Sequence, residues 1–433
     1  MKSSVHESNQ KDDGGFSGDS SGKASDVARL TVFLLFLAWV IDYIDRLVIT
    51  LALPAIGHQF HLDKAEQGLI LTVFFIAYAA SQVPGGVLAD KIGAKRTMIV
   101  ALGTWSVFTG LTGLAFNYVS LLAIRAIFGV SEGMFPAASM KALSERIRPQ
   151  QRLTATGVVF CSNSLGAALA PLIAGPALAA VGWKNSFLLV AILGIVMAAA
   201  LWKFLPRTLL SADASEPVRH AASLDLRSVL TSRALWLIAA TFCGYDIVLW
   251  GLISWTPSYL MEVRHINVRN SGILTSIPFF VGTIGTIIGG YLFDRFFHNK
   301  MRRLIAPAMA VSGVFLVVMI KATTVGQFIL WESCAIGVSS LCFMPIYGVP
   351  LRLLPQDFAG AGMGLVNFGG QFAGALTPFI MGAIADAFSF PAAFSFLLFG
   401  VALAIVASLA SPQTKKDFDA AFRREAPYPA LAQ

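Results

Sequence analysis

The chain is short of charge, and the shortage decides its class. Only 13% of its 433 residues are Asp, Glu, Lys or Arg, against 56% hydrophobic and a mean hydropathy of +0.70, whereas an ordinary soluble domain carries about 25% charged residues. Cysteine is scarce as well. The four present, Cys161, Cys243, Cys334 and Cys342, all fall inside apolar stretches, which excludes a disulfide framework or a cysteine metal site and implies free thiols. The six histidines stand outside those stretches or at their ends, so neither a metal centre nor a histidine proton relay is expected. The absence of any Asn-x-Ser/Thr removes N-glycosylation sites and favours a bacterial inner membrane over a eukaryotic surface. A nucleotide-binding Gly-rich loop is missing too, as is a soluble domain able to hold one, which argues against an enzyme and against ATP-driven work.

What the chain has is apolar sequence in blocks. A bilayer span needs about 20 largely apolar residues, and such stretches run approximately over residues 30–53, 68–89, 97–115, 119–141, 153–180, 185–205, 234–260, 272–293, 302–322, 325–350, 360–386 and 390–411. The expected fold class is an all-α polytopic membrane protein with twelve transmembrane helices. The net charge of +8 would in a soluble chain point to nucleic acid, but the cations sit on alternate connections. Lys91, Lys95 and Arg96 follow the second stretch, Arg146, Arg148 and Arg152 the fourth, Arg207, Arg219, Arg227 and Arg233 the sixth, and Arg295, Lys300, Arg302 and Arg303 the eighth. This is the positive-inside pattern; it places both termini in the cytoplasm and requires no polyanionic partner.

The most polar internal stretch divides the twelve into six and six. The expected organisation is a disordered cytoplasmic tail over 1–28, without the apolar core of a signal peptide, an N-terminal bundle over 29–205, a cytoplasmic linker over 206–233, a C-terminal bundle over 234–411 and a cytoplasmic tail over 412–433. Across the linker, Gly86-Val87-Leu88-Ala89-Asp90-Lys91 recurs as Gly290-Tyr291-Leu292-Phe293-Asp294-Arg295, and the segment 157–175 pairs with 364–382. Gly129-Val130-Ser131-Glu132 resembles Gly337-Val338-Ser339-Ser340. Duplicated halves of this kind hold a substrate between them near the bilayer midplane.

The few charges inside the apolar blocks are the informative ones, because a charged side chain in hydrocarbon is costly unless it faces a partner or a water-filled cavity. Asp45 and Arg46 lie in the first block, Arg125 and Glu132 in the fourth. Counting along the helices, Asp45 is about 22 Å above the cytoplasmic edge and Arg125 about 9 Å below the outer edge, and in a core about 30 Å thick these depths coincide. Arg46 and Arg125 are therefore expected to form a two-cation site for a carboxylate, with a fork geometry that lysine lacks. Glu132, deeper and without a cation neighbour on its own helix, is expected to carry a proton. Asp42 and Asp246 occupy matching places in the two repeats, with structural and functional roles equally open, and Glu332 ranks lower. Trp250, Tyr347 and Gln371 fall near mid-depth with polar atoms suited to hydroxyl recognition.

The run Gly86-Val87-Leu88-Ala89-Asp90-Lys91-Ile92-Gly93-Ala94-Lys95-Arg96 matches the G-x-L-x-D-x-x-G-x-[KR]-[KR] signature between the second and third helices of the major facilitator superfamily, and the chain resembles that superfamily over all twelve blocks. Asp45-Arg46, Phe75-Ile76-Ala77-Tyr78, Gln82-Val83-Pro84-Gly85-Gly86, Arg125 with Glu132-Gly133, Phe135-Pro136, Trp255, Pro257, Tyr259, Leu260 and Asn367-Phe368-Gly369 resemble the anion:cation symporter family within it, and most of all its galactonate/proton symporter and phthalate permease branch. The resemblance implies two six-helix bundles, a carboxylate contact at Arg46 or Arg125, proton carriage at Asp45 and Glu132, and a polyol site lined by Tyr78, Asn163, Tyr347 and Asn367. It implies a gating role for Gly86, Asp90, Gly93 and Arg96. Asn163 stands where Gln is common and Asp42 where Asn is common, which leaves the substrate open.

The expected function is proton-coupled uptake of an organic acid anion by a monomer in a bacterial inner membrane, most of all a sugar acid such as galactonate, gluconate or glucarate. No cofactor beyond the coupling proton and no metal is expected. The rival readings are an aromatic or dicarboxylic acid symporter, a drug/proton antiporter and a transport-like organic-acid receptor. For the antiporter, Gly166 to Gly175 reads G-A-A-L-A-P-L-I-A-G, only part of the expected G-x-x-x-G-P-x-x-G-G, and buried arginines repel cationic drugs.

Overall fold

Polar caps and glycine turns set where several of the helices begin, Ser232 capping the helix Arg233–Glu262 at the linker side. The computed structural model describes residues 17–206, 226–297, 300–354 and 356–412, and the helices run α1 (Ser17–Phe60), α2 (Lys64–Ile92), α3 (Ala94–Thr112), α4 (Tyr118–Gly133), α5 (Phe135–Ser144), α6 (Pro149–Phe204), α7 (Leu226–Thr231), α8 (Arg233–Glu262), α9 (Val268–Leu292), α10 (Met301–Ile320), α11 (Val325–Ser339), α12 (Phe343–Leu353), α13 (Gln356–Ala387), α14 (Phe390–Ser395) and α15 (Leu397–Ala410). Asp63, Asn117, Asn267, Thr324 and Ser389 cap α2, α4, α9, α11 and α14 by accepting a backbone N–H with the side chain, as short polar residues do at helix starts. All five caps lie at the face away from the linker.

Among the described residues ten helices are long and apolar enough to cross a bilayer. One of them, α6, is two passes in one: at Gly182 the backbone turns through φ 74°, a conformation glycine adopts without strain. The 19-residue α3, too polar to stand among the ten, packs between α4 and α6 and completes the twelve. The predicted passes over 153–180 and 185–205 are thus separated by one glycine. At the N-terminus, α1 begins at Ser17, inside the stretch read as a disordered tail, and α7 lies inside the expected linker; residues 1–16, 207–225 and 413–433 of the expected tails and linker are outside the described residues.

The repeat seen in the sequence is also a repeat in how the helices break. The fourth pass stops at Gly133 and restarts at Phe135 as α5, with Pro136 in its first turn. The tenth stops at Ser339, passes through a 3-10 turn at Ser340–Cys342 and restarts at Phe343 as α12. Glu132 and Ser340, paired by the sequence repeat, therefore both stand at a helix break.

Glycine sets the spacing inside the N-terminal half. A Cβ at Gly129 would lie 2.5 Å from the Phe74 carbonyl, one at Gly85 2.5 Å from the Met134 Cα, and one at Gly133 would strike Tyr78 and Ser81. In a bilayer, where lipid competes with apolar side chains, such close backbone approach is what holds helices together. The two halves meet along α2 with α13, α6 with α9 and α1 with α8. The tightest seams are at the face away from the linker. Gly175 and Gly272 leave only 3.0 Å for a Cβ, Lys64 Nζ pairs with Glu262 at 2.6 Å, and the Asp386 carboxylate accepts from the Lys64 and Ala65 N–H groups at 3.0 and 2.8 Å. The last contact caps the positive end of α2 with an acid from the opposite half.

Gly129→Ala should destabilise the folded protein by about 1–3 kcal/mol, since the added methyl has nowhere to go at the α2–α4 crossing. Gly103, with nothing within 4 Å of its would-be Cβ, is the control: Gly103→Ala should leave stability unchanged or slightly raised. Thermal unfolding of the purified variants in detergent checks both.

Candidate functional site

Three ionisable residues on α1 and two on α4 make the charged centre. Asp42 and Arg46 are four residues apart, so they share a face of α1. Arg46 donates from Nη2 to Asp42 Oδ2 at 3.1 Å and from Nε to Glu132 Oε1 at 2.7 Å; all three side chains are buried. The guanidinium also lies over the rings of Tyr78 and Tyr43, 4.7 and 4.9 Å from their centroids. Glu132 thus has a cation partner supplied by another helix, which its own helix gave no sign of.

Asp45 points elsewhere. Consecutive helical residues diverge by about 100°, and while Arg46 turns to α4, Asp45 turns to α3, where its Oδ1 pairs with Thr109 Oγ1 at 2.6 Å. Adjacent in sequence, Asp45 and Arg46 are therefore not an ion pair: Arg46 takes Asp42 and Glu132 instead.

Arg125 is fully buried, and none of its Nε, Nη1 and Nη2 atoms has a hydrogen-bond partner. It lies 4.2 Å from the Phe128 ring centroid and 5.4 Å from that of Phe74. The same Phe74 ring lies 5.5 Å from the Arg46 guanidinium. Both cations thus lie against the Phe74 ring, and a cation–π attraction is worth about 2 kcal/mol when desolvated. The two-cation arrangement expected from the sequence differs from the one found. Arg46 is occupied by two carboxyls, and Arg125 alone has its fork unbonded.

A polar belt crosses between the halves. Tyr347 donates its hydroxyl to Asn367 Oδ1 at 3.1 Å, and Asn367 Nδ2 donates to Gln82 Oε1 on α2 at 3.2 Å. Trp250 on α8 meets Phe75 on α2 edge to face, 4.6 Å between centroids. Asn163 Oδ1 on α6 and Gln371 Oε1 on α13 are buried without a partner. Tyr78 is the residue of this group that joins the charged centre, through Arg46. Asp246 is buried with Oδ2 packed against Gly370, and Glu332 accepts from Thr256 at 2.6 Å inside the C-terminal half.

The signature loop is at the opposite end of α2 from the outer seam. Asp90 Oδ1 accepts from Lys141 Nζ at 2.6 Å, and Lys141 also donates to the Ala89 carbonyl. The partner of Asp90 is therefore a cation on α5, within the same half, and Arg96 is exposed. Gly93 links α2 to α3 at φ 92°, where a side chain would be strained. Gly86 has room for a Cβ, 3.6 Å from Ala137; the tight crossing belongs to its neighbour Gly85.

Several residues of the site escaped the sequence reading, Phe128 beneath Arg125 and Lys141 beside Asp90 among them. Phe74 and Tyr43 look like ordinary apolar-block aromatics until their rings are seen beneath the guanidiniums. Thr109 is one of several polar residues on α3, and its pairing with Asp45 crosses 64 positions of sequence. Gln82 stood in a recognised motif without a role, and its bond to Asn367 crosses 285. Helical phase placed Asp42 beside Arg46, and that signal was available.

Comparison with known proteins identifies the family and the fold. The family description Major Facilitator Superfamily matches residues 35–378. The hexuronate transporter of Bacillus subtilis (strain 168) is 33% identical over 400 residues, covering 88% of this chain and 92% of the relative. The probable L-galactonate transporter of Escherichia coli (strain K12) is 24% identical, covering 84% and 85%, and the probable galactarate/D-glucarate transporter of the same strain is 24% identical, covering 90% and 96%. Among solved structures, a bacterial homolog of the human lysosomal transporter Spinster, in an inward-facing and unoccupied conformation, superposes with a TM-score of 0.79 at 19% identity, covering 93% of this chain and 99% of that one.

The Asp90–Lys141 contact is largely exposed on the Asp90 side, 73% for that side chain against 31% for lysine, and exposed ion pairs contribute about 0–1 kcal/mol. Asp90→Asn should therefore leave thermal stability within about 1 kcal/mol of the parent, measured by thermal unfolding at low and high salt.

Proposed function

The chain belongs to the Major Facilitator Superfamily as an organic-acid transporter of the multi-pass membrane type, not an enzyme, and from that premise we propose that it takes up a sugar-acid monoanion together with protons across a bacterial inner membrane. The observation that carries the reading is Arg125, a buried guanidinium with all three nitrogens unbonded. A carboxylate is the natural complement of that fork, and the pairing is strong because it is bidentate and desolvated.

Arg46 gives the reading its substrate class. With Asp42 and Glu132 already on its guanidinium, one unbonded cation is left for one anionic group. That favours a uronate or aldonate, with a single carboxylate, over an aldarate with two. The relatives named for hexuronate and L-galactonate support the same choice. Hydroxyl groups are then read by the Tyr347–Asn367–Gln82 belt, by Asn163 and Gln371, whose buried oxygens lack donors, and by Tyr78 and Trp250.

Coupling rests on Asp45 and Glu132. In an environment where each uncompensated charge is costly, arrival of an anion at Arg125 releases that cation's hold on nearby acids and favours their protonation. The loaded carrier then reorients without net buried charge. Arg125 is sealed between Phe74 and Phe128 in this conformation, so carboxylate entry is tied to movement of α4 against α2. Reorientation must part the Lys64–Glu262 and Asp386 contacts of the outer seam, while the Gly86–Arg96 loop with Asp90 and Gly93 sets the exchange between states. The expected unit is a monomer.

The test is uptake of radiolabelled glucuronate, galacturonate, galactonate and glucarate into proteoliposomes under an imposed pH difference, without sodium. Accumulation of a uronate or aldonate is expected; failure of all four, or uptake that follows a Na⁺ gradient at constant pH, overturns the reading. Arg125→Lys keeps the charge but loses the fork, and one charged hydrogen bond is worth about 1.5–3 kcal/mol, so binding should weaken from about tenfold to over a hundredfold.

Glu132→Gln removes the titrating group while keeping a polar side chain on Arg46. It should bind substrate and perform counterflow exchange, yet fail to concentrate substrate when a pH difference is imposed. Paired counterflow and accumulation assays on the same vesicles check this.

A further inference from the structure

Asp42 and Glu132 come from different helices yet converge on one guanidinium. Both acids also meet the same Arg46 Nη2 atom, Asp42 through Oδ2 at 3.1 Å and Glu132 through Oε1 in closer contact still. Each keeps a fully buried oxygen, Asp42 Oδ1 and Glu132 Oε2, that receives no hydrogen bond. Two ionised carboxylates in such contact repel, and the usual resolution is a single proton held between them.

The surroundings point the same way. The groups facing the pair are Arg46, Tyr43 and Asp45 on α1, Tyr78 on α2 and Arg125 on α4, with Asp246 of α8 beyond Tyr43. Asp42, Asp45 and Glu132 set three acids against the two cations Arg46 and Arg125, so full ionisation leaves one uncompensated negative charge in a buried site. One proton restores neutrality. Asp45 is not a member of the pair: its Oδ1 accepts from Thr109 on α3.

We propose that Asp42 and Glu132 form a shared-proton carboxyl pair on Arg46, making Asp42 a third coupling residue, and that the proton exchanged by this carrier belongs to the pair and not to Glu132 alone. The inference rests on the proton-coupled reading above and deepens it. No bond other than the O–H is made or broken: the empty carrier holds one proton on the pair, the pair takes a second from water as the anion reaches Arg125, which keeps the site neutral, and it returns that proton to water on release, with both carboxyls on Arg46 throughout. Removing either acid has one consequence. The remaining carboxylate pairs with Arg46 as a neutral unit, accepts a hydrogen bond from the substituted amide and has no like-charged neighbour to make it take up a proton.

Asp42→Asn should therefore behave as Glu132→Gln does: counterflow exchange of a uronate or aldonate persists, while the concentration ratio reached under a pH difference falls to about one. Asp42→Glu, which restores the acid, should accumulate substrate to within a few-fold of the parent. Accumulation by Asp42→Asn equal to that of the parent overturns the proposal. A second measurement needs neither transport nor the Asp42 variant. The carboxylic-acid infrared band that distinguishes the parent from Glu132→Gln should shift when aspartate carboxyls are ¹³C-labelled and, separately, when glutamate carboxyls are. A band that shifts with glutamate labelling alone places the proton on Glu132 and overturns the shared pair. If the parent moves no sugar acid, the transport reading falls while the infrared result still decides the pair.

Discussion

Charge in a medium that cannot solvate it is the constraint on which this structure depends. Arg46 and Arg125 are both buried, and everything around them answers that cost: two carboxyls on Arg46, the Phe74, Phe128, Tyr43 and Tyr78 rings beneath the guanidiniums, and glycines at 129 and 133 that bring α4 close enough to α2 for those contacts to form. Arg125 is the place where the compensation is incomplete. Its fork has aromatic faces but no acceptor, so an incoming anion improves the electrostatics of the site. A purely structural ion-pair network would have no such gap, because leaving a buried cation unpaired is more costly than replacing it with an apolar residue.

The second constraint is that helices in a bilayer gain little from burying apolar surface against one another. Contact then depends on shape, and here glycine supplies it. The α2–α4 crossing, the Gly175–Gly272 seam and the approaches of Gly68 to Pro378 and Gly382 to Lys64 are all backbone against backbone. The same device serves two purposes. Within a half it fixes the positions of Glu132 and Arg125; between halves it makes a seam without interlocking large side chains, which two rigid bundles can part and reform. The polar contacts of the seam, Lys64 with Glu262 and Asp386 with the first N–H groups of α2, are at its partly solvated end, where breaking them returns the groups to water.

The helix breaks link the fold to the chemistry. A continuous fourth helix would carry Glu132 onward into a straight stack of backbone hydrogen bonds. The break after Gly133, enforced by Pro136 lacking an N–H, instead ends one helix beside the acid. The C-terminal half repeats the break at Ser340 without the acid. The architecture repeats, while the Arg46–Asp42–Glu132 cluster and Arg125 stand in one half and the other contributes Tyr347, Asn367 and Trp250.

By itself the sequence determined the membrane class, the twelve passes and the identity of the charged residues, because each follows from local quantities: apolar length, turn residues and the repeat. It also carried the helical phase that puts Asp42 beside Arg46. Tertiary structure decided the partnerships. Arg46 with Glu132 is a contact across 86 positions, Asn367 with Gln82 across 285, and no periodicity within one helix encodes which face of another it will meet. For the same reason Asp45 and Arg46, adjacent in the chain, serve different helices: rotation about the helix axis separates neighbours, and only the packing of α3 and α4 against α1 determines which acid each cation receives.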